Sequence, residues 1–101
     1  MPPKHRLHYL PAAVDDLISI HDWIASNSSV RARAFIESVD KRIGGLAIHP
    51  QLGRIPRHPK LKAFGYRVLV MDSYLVFYVI RGRTVEIHRI VHGSRHLDEI
   101  V

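Results

Sequence analysis

The chain contains no cysteine. Disulfide scaffolds, thiol catalysis and cysteine-based zinc sites are therefore excluded. Its longest unbroken apolar run, Tyr74 to Ile80, is seven residues. A membrane-crossing helix needs ~20, so no membrane partner is expected. The opening MPPKHRLHYLPAA has no apolar stretch of the kind a secretory leader carries, and a reduced, cytoplasmic setting is the expectation. A phosphate-binding glycine loop, a nucleophile elbow and a dinucleotide fingerprint are also missing, and no cofactor is expected. There is no repeat, linker or low-complexity tract. With 101 residues, of which 47% are hydrophobic and 24% charged, the chain reads as one domain, 1–101, with enough apolar content for a core.

Acidic residues are missing from one long interval. Between Asp40 and Asp72 there is none, while Lys41, Arg42, Arg54, Arg57, Lys60, Lys62 and Arg67 supply seven cations. The rest of the chain holds eight cations and nine acids, so the net charge of +6 comes from this one segment. Such a block predicts an anionic partner, nucleic acid or an acidic protein. The plainer alternative is a solvated loop.

Residues 5–10 suit a short strand, which Pro11 ends while opening a helix. Ala13, Leu17, Ile20 and Ile24 recur at helical spacing over Ala12–Ser26, with Asp15 and Asp16 placed to complement the helix dipole. Asn27-Ser28-Ser29 ends this helix and caps the next. The second helix, Val30–Ile48, carries Ala32, Phe35, Val39, Ile43 and Leu46 on one stripe, and Gly44-Gly45 weakens its end. Residues 50–65 contain three prolines and two glycines and read as loop. Then the period changes. Tyr66–Met71, Tyr74–Arg81 and Thr84–Val91 read as strands joined by the tight turns Asp72-Ser73 and Gly82-Arg83. The tail HGSRHLDEIV reads as a short helical turn. The order βααβββ predicts an α+β fold with a helical hairpin on one face of a small antiparallel sheet. Its core would join the helices to Val68, Val70, Val76 and Tyr78, with Tyr9, Trp23 and Phe35 as core aromatics. The other face would be a concave surface beside the basic loop.

His88, His92 and His96 are four apart. On a strand that spacing covers ~13 Å, too far for one ion, so no metal site is expected. No carboxylate pair adjoins the basic block. What converges is cationic: Lys60, Lys62 and Arg67, then Arg89, His92, Arg95 and His96. Arginine holds phosphate through its planar fork, and histidine moves protons near neutral pH. The plain alternative for Arg89, between Ile87 and Val91, is a half-buried structural arginine.

Tyr9-Leu10-Pro11-Ala12-Ala13, Asp16-Leu17, Ile20-x-x-Trp23-Ile24, His49-Pro50-x-x-Gly53-Arg54, Gly65-Tyr66-Arg67, Tyr74-x-Val76-Phe77-Tyr78 and Val85-x-Ile87-x-Arg89-Ile90-x-His92-Gly93-x-Arg95 together resemble the RelE/ParE superfamily of toxins from bacterial toxin–antitoxin systems. The resemblance runs from Tyr9 to about Arg95, and its fold order is the βααβββ read above. It implies a toxin, of a kind also linked to plasmid stabilisation, that is silenced in a hetero-oligomer with a cognate antitoxin. Two activities are implied by its two branches. The ParE-like branch, which inhibits DNA gyrase and is not a nuclease, is favoured by the Asp16-Leu17 and Trp23 pattern, the Pro50–Arg54 motif and the His92-Gly93 ending. Here Arg54, Arg57, Lys60, Lys62, Arg67 and Arg89 would be partner contacts and no residue catalytic. The alternative is a RelE-like, ribosome-dependent mRNA endonuclease. It would use Arg67 and Arg95 on phosphate, Lys60 and Lys62 on the RNA backbone, and His92 or His96 for proton transfer. That branch usually has a tyrosine near its C-terminus, and no aromatic residue follows Tyr78 here. A third class keeps only antitoxin binding.

Overall fold

The computed structural model describes residues 4–93. The tail's helical turn, Arg95 and His96 lie outside them. Strand β1 (Arg6–Tyr9) leads into α1 (Pro11–Ala25), with Pro11 in its first turn, and then α2 (Ser29–Gly44). Ser28 caps α2, its hydroxyl accepting from the Arg31 N–H at 3.1 Å. The helix stops at the glycine pair, and Gly45–Ala47 continues as a 3-10 turn. After a second such turn at Pro50–Leu52 comes α3 (Pro59–Ala63), a five-residue helix inside the segment that composition marks as loop. Strands β2 (Tyr66–Met71), β3 (Tyr74–Arg81) and β4 (Thr84–His92) follow. Asp72 and Gly82 take φ values of +55° and +58° in the two tight turns, and at Gly82 the missing Cβ makes this cheap.

The sheet order is β1-β4-β3-β2. Strands β2, β3 and β4 form the expected antiparallel meander. Strand β1 pairs parallel with β4, Arg6 opposite Thr84 and Tyr9 opposite Ile87, so the sheet is mixed. The connection through α1 and α2 carries the chain from β1 to β2 on the opposite edge of the sheet, and the meander then returns β4 to lie beside β1. A β-bulge at His88 shifts the phase of β4, since Phe77 faces Arg89 while Tyr78 faces Ile87. The bulge lets Ile87 and Ile90, three residues apart, both reach the helix side.

The main core lies between the hairpin and the sheet. Ala13, Phe35, Val39, Ile43 and Leu46 are buried there, with Leu17, Ile20 and Ile24 half-buried against them. From the sheet come Leu69, Met71, Val76, Tyr78, Val85 and Ile87. This corrects two assignments. Val68 belongs to the opposite face, in a second cluster with Leu61, Phe77 and Val91, and Val70 is 43% exposed. The run YRVLVM is apolar at four consecutive positions, so alternation gives no phase, and Leu69 and Met71 take the inward places instead. Trp23 is not a core residue either: it is 68% exposed at the edge of the α1 stripe. No described helix is long and apolar enough to cross a membrane.

Phe35 is buried and meets Tyr74 edge-on, their ring centres 5.3 Å apart. Phe35→Ala is expected to destabilise the protein by ~3–5 kcal/mol in urea unfolding, whereas Trp23→Ala should cost less than ~1 kcal/mol. Equal losses from both would contradict this packing.

Candidate functional site

The basic segment is shaped by a polar clamp. Tyr78, fully buried, donates its hydroxyl hydrogen to the Pro50 carbonyl at 2.6 Å and accepts the Gly53 N–H at 2.8 Å. Burial pushes its phenol up from the ordinary value, against the Gly53 amide and Arg67, which pull it down. A Cβ on Gly53 would stand 2.6 Å from that hydroxyl, so only glycine fits. Arg67, opposite Tyr78 in the sheet, donates Nη1 to the Gly53 carbonyl at 2.8 Å and to the Gln51 carbonyl at 3.3 Å. Arg67 thus shares the helix-side parity of Leu69 and Met71. There its Nη1 holds the two loop carbonyls.

The clamp delivers Arg54 to the edge of the sheet. Its N–H donates to the Val68 carbonyl at 3.0 Å and its carbonyl accepts the Val68 N–H at 2.8 Å. Arg42 donates Nη2 to the Val70 carbonyl at 2.8 Å. The outer edge of β2 is thereby blunted at two successive outward positions. Beyond Arg54 the chain crosses the open face, enclosing a groove of about 570 Å³ between Arg54–His58 and the strands at Val68, Leu75 and Phe77. Leu61 anchors α3 on the same apolar cluster, with exposed Lys60 and Lys62 on either side of it. Of the six predicted partner contacts, Arg54, Arg57, Lys60 and Lys62 are therefore exposed in one stretch over the open face.

Arg89 is engaged elsewhere. Its Nε and Nη2 grip both carboxylate oxygens of Asp16 at 2.8 and 3.0 Å, and Asp16 also accepts the Ile90 N–H at 2.9 Å. The hydrogen bond to Asp16 raises the guanidinium pKa. Asp16 therefore fastens α1 to β4, a role beyond the dipole contribution that its position suggests. His92 is exposed at the end of β4, its ring edge-on to Tyr74 at 5.7 Å. Near it a groove of about 350 Å³ runs between α1 and the β4 end, lined by Ile20, Trp23, Tyr74 and Val91.

A second polar chain, not foreseen from sequence, crosses the open face. Arg81 Nε donates to Glu86 at 2.8 Å, His88 Nε2 lies 3.2 Å from the same oxygen, and His88 Nδ1 lies 2.8 Å from the Tyr66 hydroxyl. A carboxylate accepts only, so the network assigns the hydrogen to Nε2 and makes Nδ1 the acceptor for Tyr66 O–H. Hydrogen bonds from Arg81 and His88 hold the Glu86 carboxyl below its ordinary value. Burial pushes the Tyr66 phenol up. The alternation Thr84, Glu86, His88 was readable in the sequence; the meeting with Tyr66 depends on strand pairing and was not. Among the described residues no three His, Asp or Glu side chains converge as metal ligands.

The model of the family described as "ParE toxin of type II toxin-antitoxin system, parDE" matches residues 7–97. The chain belongs to the ParE toxin family. It is thus a toxin of a type II toxin–antitoxin system. No curated protein matches it. Among solved structures, the chromosomal ParDE toxin–antitoxin system from P. aeruginosa superposes with a TM-score of 0.72 at 19% identity, over 90% of this chain and 98% of that one. The toxin–antitoxin complex RelBE2 from Mycobacterium tuberculosis gives 0.59 at 21% identity, over 88% and 98%. Both similarities concern the fold, the same α+β arrangement of helices on a four-stranded sheet.

Within this ParE-family chain the clamp is testable. Tyr78→Phe leaves the Pro50 carbonyl and the Gly53 N–H unpaired and buried, which should cost ~2–4 kcal/mol in urea unfolding. Gly53→Ala should lose stability in the same range by displacing the hydroxyl. Wild-type stability in both would show that the loop is held by other contacts.

Proposed function

We propose that the protein inhibits growth by binding DNA gyrase, without cutting RNA, and that a cognate antitoxin silences it. The observation that carries this reading is the position of Arg67. A phosphate-binding arginine needs its fork free on the substrate side. Here one arm of the fork, Nη1, is committed to the Gln51 and Gly53 carbonyls. The exposed Trp23 and the exposed cations of residues 54–62 suit a protein interface, where a few aromatic and arginine residues carry most of the binding energy.

One observation favours the second reading, ribosome-dependent cleavage of mRNA. The Glu86–His88–Tyr66 chain joins carboxylate, imidazole and hydroxyl on the open face, the ordering that activates a hydroxyl in acid–base catalysis. In that reading Tyr66 and His88 take the proton-transfer role expected of His92 or His96.

Induced expression in a bacterium, with pulse labelling of DNA and protein synthesis, separates the two. The gyrase reading predicts that DNA synthesis stops first, with an SOS response, and that Tyr66→Phe remains toxic. Early loss of protein synthesis, abolished in Tyr66→Phe, would establish the nuclease instead.

A further inference from the structure

Charge is segregated along this chain. From residue 7 to residue 30 there is no Lys or Arg, while Asp15, Asp16 and Asp22 occur there. From residue 41 to residue 71 the pattern is reversed, with seven cations and no acid. The fold sets the two segments on different surfaces. In α1, Asp15, Ser19 and Asp22 fall at i, i+4 and i+7 and so share one exposed face. Trp23, 68% exposed, adjoins Ser19 on it. Asp16 is engaged by Arg89. Asp15 and Asp22 form no ion pair with Lys or Arg among the described residues. On the other surface Arg54, Arg57, Lys60 and Lys62 are exposed beside Ile55, which is 56% exposed. None of these four cations pairs with a carboxylate among the described residues.

Each surface thus joins unpaired charge of one sign to an exposed apolar side chain, and the signs are opposite. Nucleic acid would cover only the cations, and a cationic protein only α1. A second copy of this chain matches both. We infer that the acidic face of α1 is a docking surface for a second copy of this chain, whose segment 54–62 lies against it, with Arg57 of the second copy over the Trp23 ring and beside Asp22. An arginine there gains from the indole face and from the carboxylate together. With a net charge of +6, copies repel one another in general. The acidic face of α1 is where that repulsion turns to attraction, so charge selects a head-to-tail arrangement. Both surfaces are fixed before they meet. Asp16 ties α1 to β4, and the Arg54 backbone is bonded to Val68. Little freedom is therefore lost on docking. The contact is heterologous: two joined copies still have one acidic and one basic surface free, so association continues into a ring or a chain of copies. Every interior copy then has both surfaces covered, and self-association competes with any partner that uses either one.

The test is sedimentation analysis of the purified full chain over a concentration series, at low and at physiological salt. At low salt the average mass is expected to rise with concentration, and added salt should return it toward that of one chain. Asp22→Arg and Arg57→Glu change exposed side chains. Each alone is expected to weaken self-association about tenfold or more. An equimolar mixture of the two should restore it, because the unchanged α1 of the Arg57→Glu chain accepts the unchanged basic segment of the Asp22→Arg chain. Trp23→Ala should weaken self-association by a similar factor and leave its salt dependence in place. Lys41→Glu makes the same charge change as Arg57→Glu at an exposed position of α2 and should associate as wild type. A wild-type chain that stays single at low salt across the whole series overturns the inference. So does association that survives both single variants, a mixture that stays monomeric, or a loss in Lys41→Glu equal to that in Arg57→Glu. A monomeric wild type whose growth inhibition is lost in Asp22→Arg also overturns it, and assigns the α1 face to a cationic target instead.

Discussion

One buried hydroxyl organises the functional side of this molecule. Tyr78 stands at the centre of the sheet with no exposed surface, and its oxygen joins the Pro50 carbonyl to the Gly53 amide. A buried phenol without partners is costly, so the turn is held in the one geometry that satisfies it. Arg67 closes the other side of the turn. From there the consequences run outward. Arg54 is pinned to Val68, the chain crosses the open face, and Leu61 seals α3 onto the second apolar cluster. The cations between residues 54 and 62 are displayed because the chain on either side of them is fixed.

The two faces of the sheet have separate duties. The helix side holds the main core, and Asp16 ties α1 to β4 through Arg89 and the Ile90 amide. The open side carries the smaller cluster of Leu61, Val68, Phe77 and Val91, together with exposed cations and the Tyr66–His88–Glu86 chain. A small domain has limited apolar surface to bury. Placing most of it on one side leaves the other available for a partner, and the ParE toxin family membership over residues 7–97 accords with that division.

The parts of this architecture governed by local rules were legible in the sequence. Ala13, Leu17, Ile20 and Ile24, then Phe35, Val39, Ile43 and Leu46, repeat at the helical period, and Asp72-Ser73 and Gly82-Arg83 mark the two hairpins. The rest depends on contacts far apart in the chain. The parallel pairing of β1 with β4 leaves no local trace. Helix α3 is five residues with one buried side chain, too short for periodicity. The run from Tyr66 to Met71 has no alternation, so the inward phase of Leu69 and Met71, and with it the direction of Arg67, follows from pairing with Val76 and Tyr78. Trp23 lies beside Ile20 and Ile24 on the helix and shares their spacing, yet it is 68% exposed. The basic block was visible as composition; its division into displayed cations and clamped ones was not.

The proposed function without RNA cleavage requires Arg67 to be a structural group rather than a phosphate ligand. Thermal unfolding and growth inhibition measured together for Arg67→Gln decide between the two roles. Loss of the charged donor to two loop carbonyls should remove about 1–2 kcal/mol, lowering Tm by roughly 5–15 °C. At a temperature where the variant is folded, growth inhibition should persist. An unchanged Tm with growth inhibition abolished would instead place Arg67 among the catalytic residues.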